Sequence, residues 1–485
     1  MLSLHTLTIK KAHEKLKNKE ISAVELTQSC LDRIAETDKK LNAFLTVTGK
    51  EALEQAKAAD KKIAAGSAEP LTGIPLAIKD VILVKDVKNT AGSKILENYI
   101  ATYDATVIRK LKEASAVIIG KTNCDEFAMG SSTENSAYGV TKNPWDLERV
   151  PGGSSGGSAA AVRADQCLGA LGSDTGGSIR QPAALCGNVG LKLTYGRVSR
   201  YGLSALASSF DQIGPFGKTV TDTAWIFNAI AGHDEKDSTS LTEDMPDLTK
   251  LSPQIKGKKI GIPEECFVKG LNPKVKQLVE DAVKTLEKLG AKVDEVSLPH
   301  LPYSLPTYYI IMPAEASSNL ARYDGIRYGR AAETETDTLI ENYLKNKAEG
   351  FGDETKRRIM LGTYTLSSGY YDAYYTKAQK VRTKIIGDFK QAFKEFDLLI
   401  TPTVPDVAFK IGEKSDDPLA MYLNDILTVS ANVAGVPAIS LPCGFVNDLP
   451  VGLQMIGNYY QEETILEAAL AYEMATDWNS KKPKF

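Results

Sequence analysis

The sequence predicts an α/β fold, and three features carry that prediction. Short apolar runs of strand length alternate with amphipathic helical patterns along much of the chain. Residues 151–217 are crowded with glycine and serine, yet apolar segments interrupt them. That composition suits close backbone packing around a site better than a flexible linker, which would be more uniformly polar. The chain has 485 residues, enough to bury a sizeable core without disulfide or metal staples.

The elements follow in order. Ser22-x-x-Glu25 is a capping box, and Val24, Leu26 and Ile34 recur at helical spacing behind it. Residues 50–65, rich in Ala, Glu and Lys, read as a second helix. Gly73-Ile-Pro-Leu-Ala-Ile-Lys79-Asp80 is a strand-like apolar run that ends in charge. Ala116-Val-Ile-Ile-Gly120 is another strand, with a helical segment carrying Val107, Ile108 and Leu111 before it. Lys259-Ile-Gly-Ile262 reads as a strand. Asn272-Pro273 opens a helix whose apolar face is Val275, Leu278, Val279, Ala282, Val283 and Leu286, and Gly290 closes it. Strands are expected at 292–298, 397–401, 437–441 and 451–456, and a helix near 462–475. Residues 303–385 are helical and tyrosine-rich, a candidate subdomain or insertion. No linker splits the chain, and no repeat is present.

Composition narrows the function. Lys and Arg number 58 and Asp and Glu 61, a formal net charge of −3. That balance argues against a chain holding nucleic acid mainly by its own charge. It leaves room for nucleic acid held largely by a partner. No apolar run approaches a membrane span, and the N-terminus lacks a signal-peptide layout. The six cysteines form no C-x-x-C pair, so reduced thiols and a cytoplasmic location are expected. No metal cluster or cofactor fingerprint is visible.

Two serine clusters carry the chemistry. Pro151-Gly-Gly-Ser154-Ser155-Gly-Gly-Ser158 admits three readings. As a phosphate loop it lacks the essential Lys, because Ser158 stands there. As a nucleophile elbow it needs a downstream His. Only His233 and His300 follow, and both read as surface-loop residues. As a plain glycine turn it has no chemistry at all. The second cluster, Gly172-Ser-Asp-Thr-Gly-Gly-Ser178-Ile-Arg180-Gln-Pro182, weighs against that last reading. Its small residues expose backbone N–H groups, as an oxyanion hole requires. A serine without His needs another base. Lys79 follows an apolar run, and a lysine in an apolar pocket is driven towards its neutral, basic form.

Lys79, Ser154 in Gly-Gly-Ser-Ser-Gly-Gly-Ser, and Ser178 in Asp174-Thr-Gly-Gly-Ser-Ile-Arg together resemble the amidase signature family. The resemblance covers nearly the whole chain. It is closest to the A-subunit branch of the tRNA-dependent amidotransferases. The supporting segments are Asp125-Glu-Phe-Ala-Met-Gly-Ser-Ser-Thr-Glu134-Asn, Thr194-Tyr-Gly-Arg-Val-Ser-Arg200, Tyr323-Asp-Gly-Ile-Arg-Tyr-Gly329, Lys356-Arg-Arg358-Ile, and Ser367-Ser-Gly-Tyr-Tyr-Asp-Ala-Tyr-Tyr375. Leu193, Val140 and Arg163-Ala-Asp-Gln-Cys167 depart from the family pattern.

The resemblance implies one amidase domain over 1–485, with a signature core at about 70–220. Its central sheet would be mixed and twisted, with helices on both faces. Ser178 would be the nucleophile, and Ser154 would bridge it to Lys79 across a cis Gly153–Ser154 peptide. The backbone of Thr175, Gly176, Gly177 and Ser178 would form the oxyanion hole. Arg358 would grip the substrate α-carboxylate and Asp425 its ammonium. Gly130 and Ser131 would lie at the scissile amide, and Tyr309 in the pocket wall. The implied substrate is glutamine, and the implied partners are the amidotransferase's B and C subunits, in a heterotrimer. The B subunit would hold the misacylated tRNA and use ATP with magnesium; this chain would need no cofactor. Two other functions fit the sequence: a stand-alone amidase with the same triad, and a catalytically silent assembly subunit, against which the intact triad speaks.

Overall fold

The computed structural model describes residues 3–267, 270–332 and 336–484. Residues 333–335, inside the tyrosine-rich span, lie outside the described residues, as do 1, 2, 268, 269 and 485.

Among the described residues, eleven strands form one sheet: β1 (Phe44–Val47), β2 (Pro75–Lys79), β3 (Val117–Thr122), β4 (Gly169–Asp174), β5 (Val189–Lys192), β6 (Gln212–Gly217), β7 (Lys259–Pro263), β8 (Lys292–Val296), β9 (Leu398–Pro402), β10 (Ala438–Val446) and β11 (Leu449–Gly457). Their order is β1-β3-β2-β4-β6-β5-β10-β11-β9-β7-β8. The sheet is mixed, as expected. β2 runs parallel to β3 and β4, and β7 parallel to β8 and β9, while the remaining pairs are antiparallel. Helices flank it, and nearly all the buried apolar side chains join one continuous core.

The elements read from apolar periodicity are present. The capping box opens the helix Ala23–Leu41, and Pro273–Lys288 begins at proline with Asn272 as its cap. The tyrosine-rich span holds the helices Ser304–Leu320, Leu339–Gly350, Asp353–Leu366 and Lys377–Ala392. β1, β4, β5 and β6 were not expected as strands. β4 reads Gly-Ala-Leu-Gly-Ser-Asp, with no β-branched residue. It is buried between β2 and β6, where space decides: a Cβ at Gly169 would stand 2.5 Å from Ile226 Cδ1, and one at Gly172 2.6 Å from Phe216 Cε2.

The divergent stretch at 163–167 ties down both chain ends. Arg163 donates to the Lys481 carbonyl and lies over the Trp145 ring. Asp165 pairs with Lys218 at 2.6 Å and Lys482 at 2.8 Å. Lys218 in turn donates to the carbonyls of His5 and Leu7. Among the described residues, no helix is long and apolar enough to cross a membrane.

Candidate active site

The site is built where β2 and β4 end. The two strands run parallel, pairing Ile78 with Leu171, so Lys79 and the Ser173–Asp174 end of β4 emerge side by side. Lys79 is fully buried. Its Nζ donates to Ser154 Oγ at 2.7 Å and to Ser173 Oγ at 2.9 Å. Burial lowers its pKa to about 8; the surrounding carboxylates of Asp125, Asp174 and Asp211 oppose the shift only in part. A lysine so placed is a usable base near neutral pH.

Ser154 follows a cis Gly153–Ser154 peptide. The Gly153 N–H donates to Gln181 Oε1 at 2.9 Å, and the Ser154 carbonyl accepts from Asp125 N–H at 3.2 Å. Any side chain at position 153 would collide with its surroundings, for a Cβ would stand 2.3 Å from Asp125 Oδ2. The chain then enters the buried helix Gly156–Arg163.

Ser178 closes the loop after β4 and is 9% exposed. The loop is clamped from below. Asp174 accepts from Gly177 N–H at 2.9 Å and Ile179 N–H at 3.2 Å. It also takes two hydrogen bonds from the Arg180 guanidinium, both at 3.0 Å, and one from the Arg180 N–H at 3.4 Å. Burial would raise the Asp174 pKa, but the Arg180 guanidinium outweighs it and holds the carboxyl at about 2. Thr175 Oγ1 donates to Asp211 at 2.7 Å, and Thr428 Oγ1 donates to the Gly176 carbonyl at 2.8 Å. The expected oxyanion hole is altered in one respect. The Gly177 N–H faces Asp174, which leaves Thr175, Gly176 and Ser178 as candidate donors. Among the described residues, no hydrogen bond reaches the Ser178 hydroxyl.

The expected pocket residues gather around this loop. Helix Ser304–Leu320 carries Tyr308 against Gly176, where a Cβ would stand 2.8 Å from the Tyr308 ring. The next residue, Tyr309, donates to Asp425 Oδ2 at 3.2 Å. Asp425 is tied back to the loop, because Thr428 Oγ1 also donates to its carbonyl at 3.1 Å. Burial raises the Asp425 pKa to about 7, against the pull of Arg358. Arg358, on helix Asp353–Leu366, is buried over the rings of Tyr309 and Tyr422. Its Nε donates to Glu354 at 2.8 Å. The Ser131 carbonyl accepts from Gln181 Nε2 at 2.8 Å, so Gln181 bridges the loop of Gly130 and Ser131 to the cis peptide.

Several site residues were not singled out from sequence: Ser173, Gln181, Glu354 and Tyr422. Ser173 and Gln181 had a local signal, their place within the second serine cluster. His300 bonds to Asp388 at 2.9 Å and His233 is exposed, in keeping with a site built without histidine. Among the described residues, no group of three or more His, Cys, Asp or Glu side chains could hold a metal.

Comparison with known proteins places the chain in a family. The chain is 60% identical over 484 residues to the A subunit of glutamyl-tRNA(Gln) amidotransferase from Heliobacterium modesticaldum, covering 99% of each. The crystal structure of the glutamyl-tRNA(Gln) amidotransferase A subunit from Thermotoga maritima matches with a TM-score of 0.80 at 45% identity, over 100% of this chain and 98% of that one. The native peptide amidase of Stenotrophomonas maltophilia matches with a TM-score of 0.83 at 32% identity, over 97% of each chain. The Amidase family model matches residues 25–466, and with the lysine–serine site in place the chain belongs to the amidase signature family.

Proposed function

We propose that this chain is the glutamine-hydrolysing A subunit of a tRNA-dependent amidotransferase. The observation that carries the substrate assignment is the buried Arg358–Tyr309–Asp425 group, joined through Thr428 to the loop of Ser178. A free amino-acid amide needs a cation for its α-carboxylate and an anion for its ammonium. Arg358 and Asp425 supply them, and the guanidinium can hold a carboxylate by two parallel hydrogen bonds.

The reaction follows from the triad. With a pKa of about 8, roughly a tenth of Lys79 is neutral at pH 7. Ser178 Oγ attacks the side-chain amide carbon of glutamine. Its proton passes to the Ser154 hydroxyl, whose own proton passes to Lys79 Nζ. The N–H groups of Thr175, Gly176 and Ser178 hold the resulting oxyanion. The C–N bond then breaks, and the proton returns through Ser154 to the leaving nitrogen, which departs as ammonia. Water attacks the γ-glutamyl ester on Ser178, releasing glutamate. Gly130 and Ser131 border the scissile amide.

The relatives' name implies partners. In this reading the ammonia goes to the B subunit, which holds Glu-tRNA(Gln) and uses ATP with magnesium, and a small C subunit completes the heterotrimer in the cytoplasm. The chain acts as one amidase domain over its length, with its signature core at about 70–220. The test is ammonia release from glutamine by the chain purified from its own host, with and without ATP and Glu-tRNA(Gln). Release that rises with both, and yields Gln-tRNA(Gln), supports the proposal. Release that ignores both and extends to simple amides makes the chain a stand-alone amidase.

A further inference from the structure

Glu126 is 2% exposed and has no part in the triad. Its Oε2 accepts from the Gly352 N–H at 2.8 Å and from Thr355 Oγ1 at 2.5 Å, while Oε1 accepts from Ser93 Oγ. Gly352 and Thr355 stand at the start of the helix Asp353–Leu366, and Arg358 lies one turn further along it. The helix has no side-chain cap of its own at Gly352. Its own Glu354 is already engaged by Arg357, Arg358 and the Tyr422 hydroxyl. A carboxylate brought from a segment 226 residues away therefore satisfies the free N–H and meets the positive end of the helix dipole.

The residue beside it has a matching task on the other side of the site. Asp125 donates its N–H to the Ser154 carbonyl, and its carboxylate accepts from Thr133 N–H at 2.9 Å and Asn135 N–H at 3.1 Å. Two consecutive residues thus join the catalytic serine turn to the helix that carries Arg358. The turn that follows them is held by left-handed backbone at Phe127 and Ala128 (φ 48° and 63°). We propose that Glu126 is a positioning residue for glutamine binding, which sets the Arg358 guanidinium relative to the serine turn by capping its helix. The inference rests on Arg358 as the carboxylate clamp.

The experiment compares the full-length enzyme, purified from its own host, on glutamine and on γ-aminobutyramide, which is glutamine with hydrogen in place of the α-carboxylate. Four proteins are measured: wild type, Glu126→Gln, Thr355→Val and Arg358→Ala. Glu126→Gln removes the negative charge at the helix N-terminus and leaves one acceptor oxygen for the three donors Ser93, Gly352 and Thr355, and Thr355→Val removes one of those donors. The expected result for Glu126→Gln is a glutamine KM raised about tenfold with kcat within about twofold. Its kcat/KM on γ-aminobutyramide should stay within about twofold. Thr355→Val should follow with a smaller rise, and it carries the test if Glu126→Gln does not fold. Equal losses on both amides, or an unmoved glutamine KM, overturn the proposal. If Arg358→Ala discriminates between the amides and neither other variant does, the clamp stands and the role of Glu126 falls. If Arg358→Ala does not discriminate, the clamp falls and the inference falls with it.

Discussion

Lys79 Nζ lies 2.7 Å from the Ser154 hydroxyl, with the Ser173 hydroxyl 2.9 Å away. A neutral amine has one lone pair and two N–H groups. It can accept the Ser154 proton while donating to Ser173, which is the arrangement a relay base needs.

That arrangement sets a pH dependence. The base must be neutral, and burial places its pKa at about 8. kcat/KM should therefore rise about tenfold per pH unit below pH 8 and level off above it. A simple amide isolates this ionisation from those of glutamine itself. A profile flat from pH 6 to pH 9 would remove Lys79 as the base. The sign of the stability effect is also fixed. The folded pKa is lowered from 10.5 to about 8, so the unfolded chain binds more protons across that window. The Lys79 contribution to stability thus rises with pH between those values.

Ser173 should matter through Lys79. Ser173→Ala removes one of the two hydroxyls that fix the amine, and we expect kcat to fall about 10- to 100-fold with little change in KM. Ser173→Thr keeps a hydroxyl and should recover much of the rate. Steady-state kinetics of the two variants decide it; an equal loss in both would mean that packing, not the hydroxyl, is what counts.

Asp425 should make glutamine affinity pH-dependent. Burial raises its pKa to about 7, and only the carboxylate attracts an ammonium. KM for glutamine should fall as pH rises through 7, whereas KM for glutaramate, which has no ammonium, should not. Asp425→Asn should abolish the difference, and a KM for glutamine that does not move across this range would refute the assignment.

How much of this was legible in the sequence depends on how local each signal is. β2 shows itself as an apolar run, and the two serine clusters show themselves by composition. β4 does not, because its glycines answer to Ile226 and Phe216 across the packing, which no local pattern reveals. Arg358, Asp425 and Tyr309 come from separate segments, and only the family resemblance marked them. Their convergence depends on long-range bonds such as Thr428 to Gly176. Ser173 was missed because its strand was; its meaning comes from the neighbouring strand, which ends in Lys79.

The Asp174–Arg180 pair is the part of the site most exposed to loss of folding. Both side chains are fully buried. Arg180→Met would strand the Asp174 carboxylate and should cost about 3–5 kcal/mol, read as a fall in the denaturation midpoint. The folded Asp174 pKa is lowered from 3.8 to about 2. Its contribution is therefore present above pH 3.8 and lost as pH falls through about 2. A variant as stable as wild type at pH 7 would show the pair to be dispensable.

The whole reaction turns on a covalent step at Ser178. The direct measurement is acid quenching of the enzyme during glutamine turnover, followed by peptide mapping by mass spectrometry. A γ-glutamyl ester is expected on the peptide containing Ser178, absent in Ser178→Ala. A γ-glutamyl group on Ser154 or Ser173, or turnover that persists in Ser178→Ala, would contradict it.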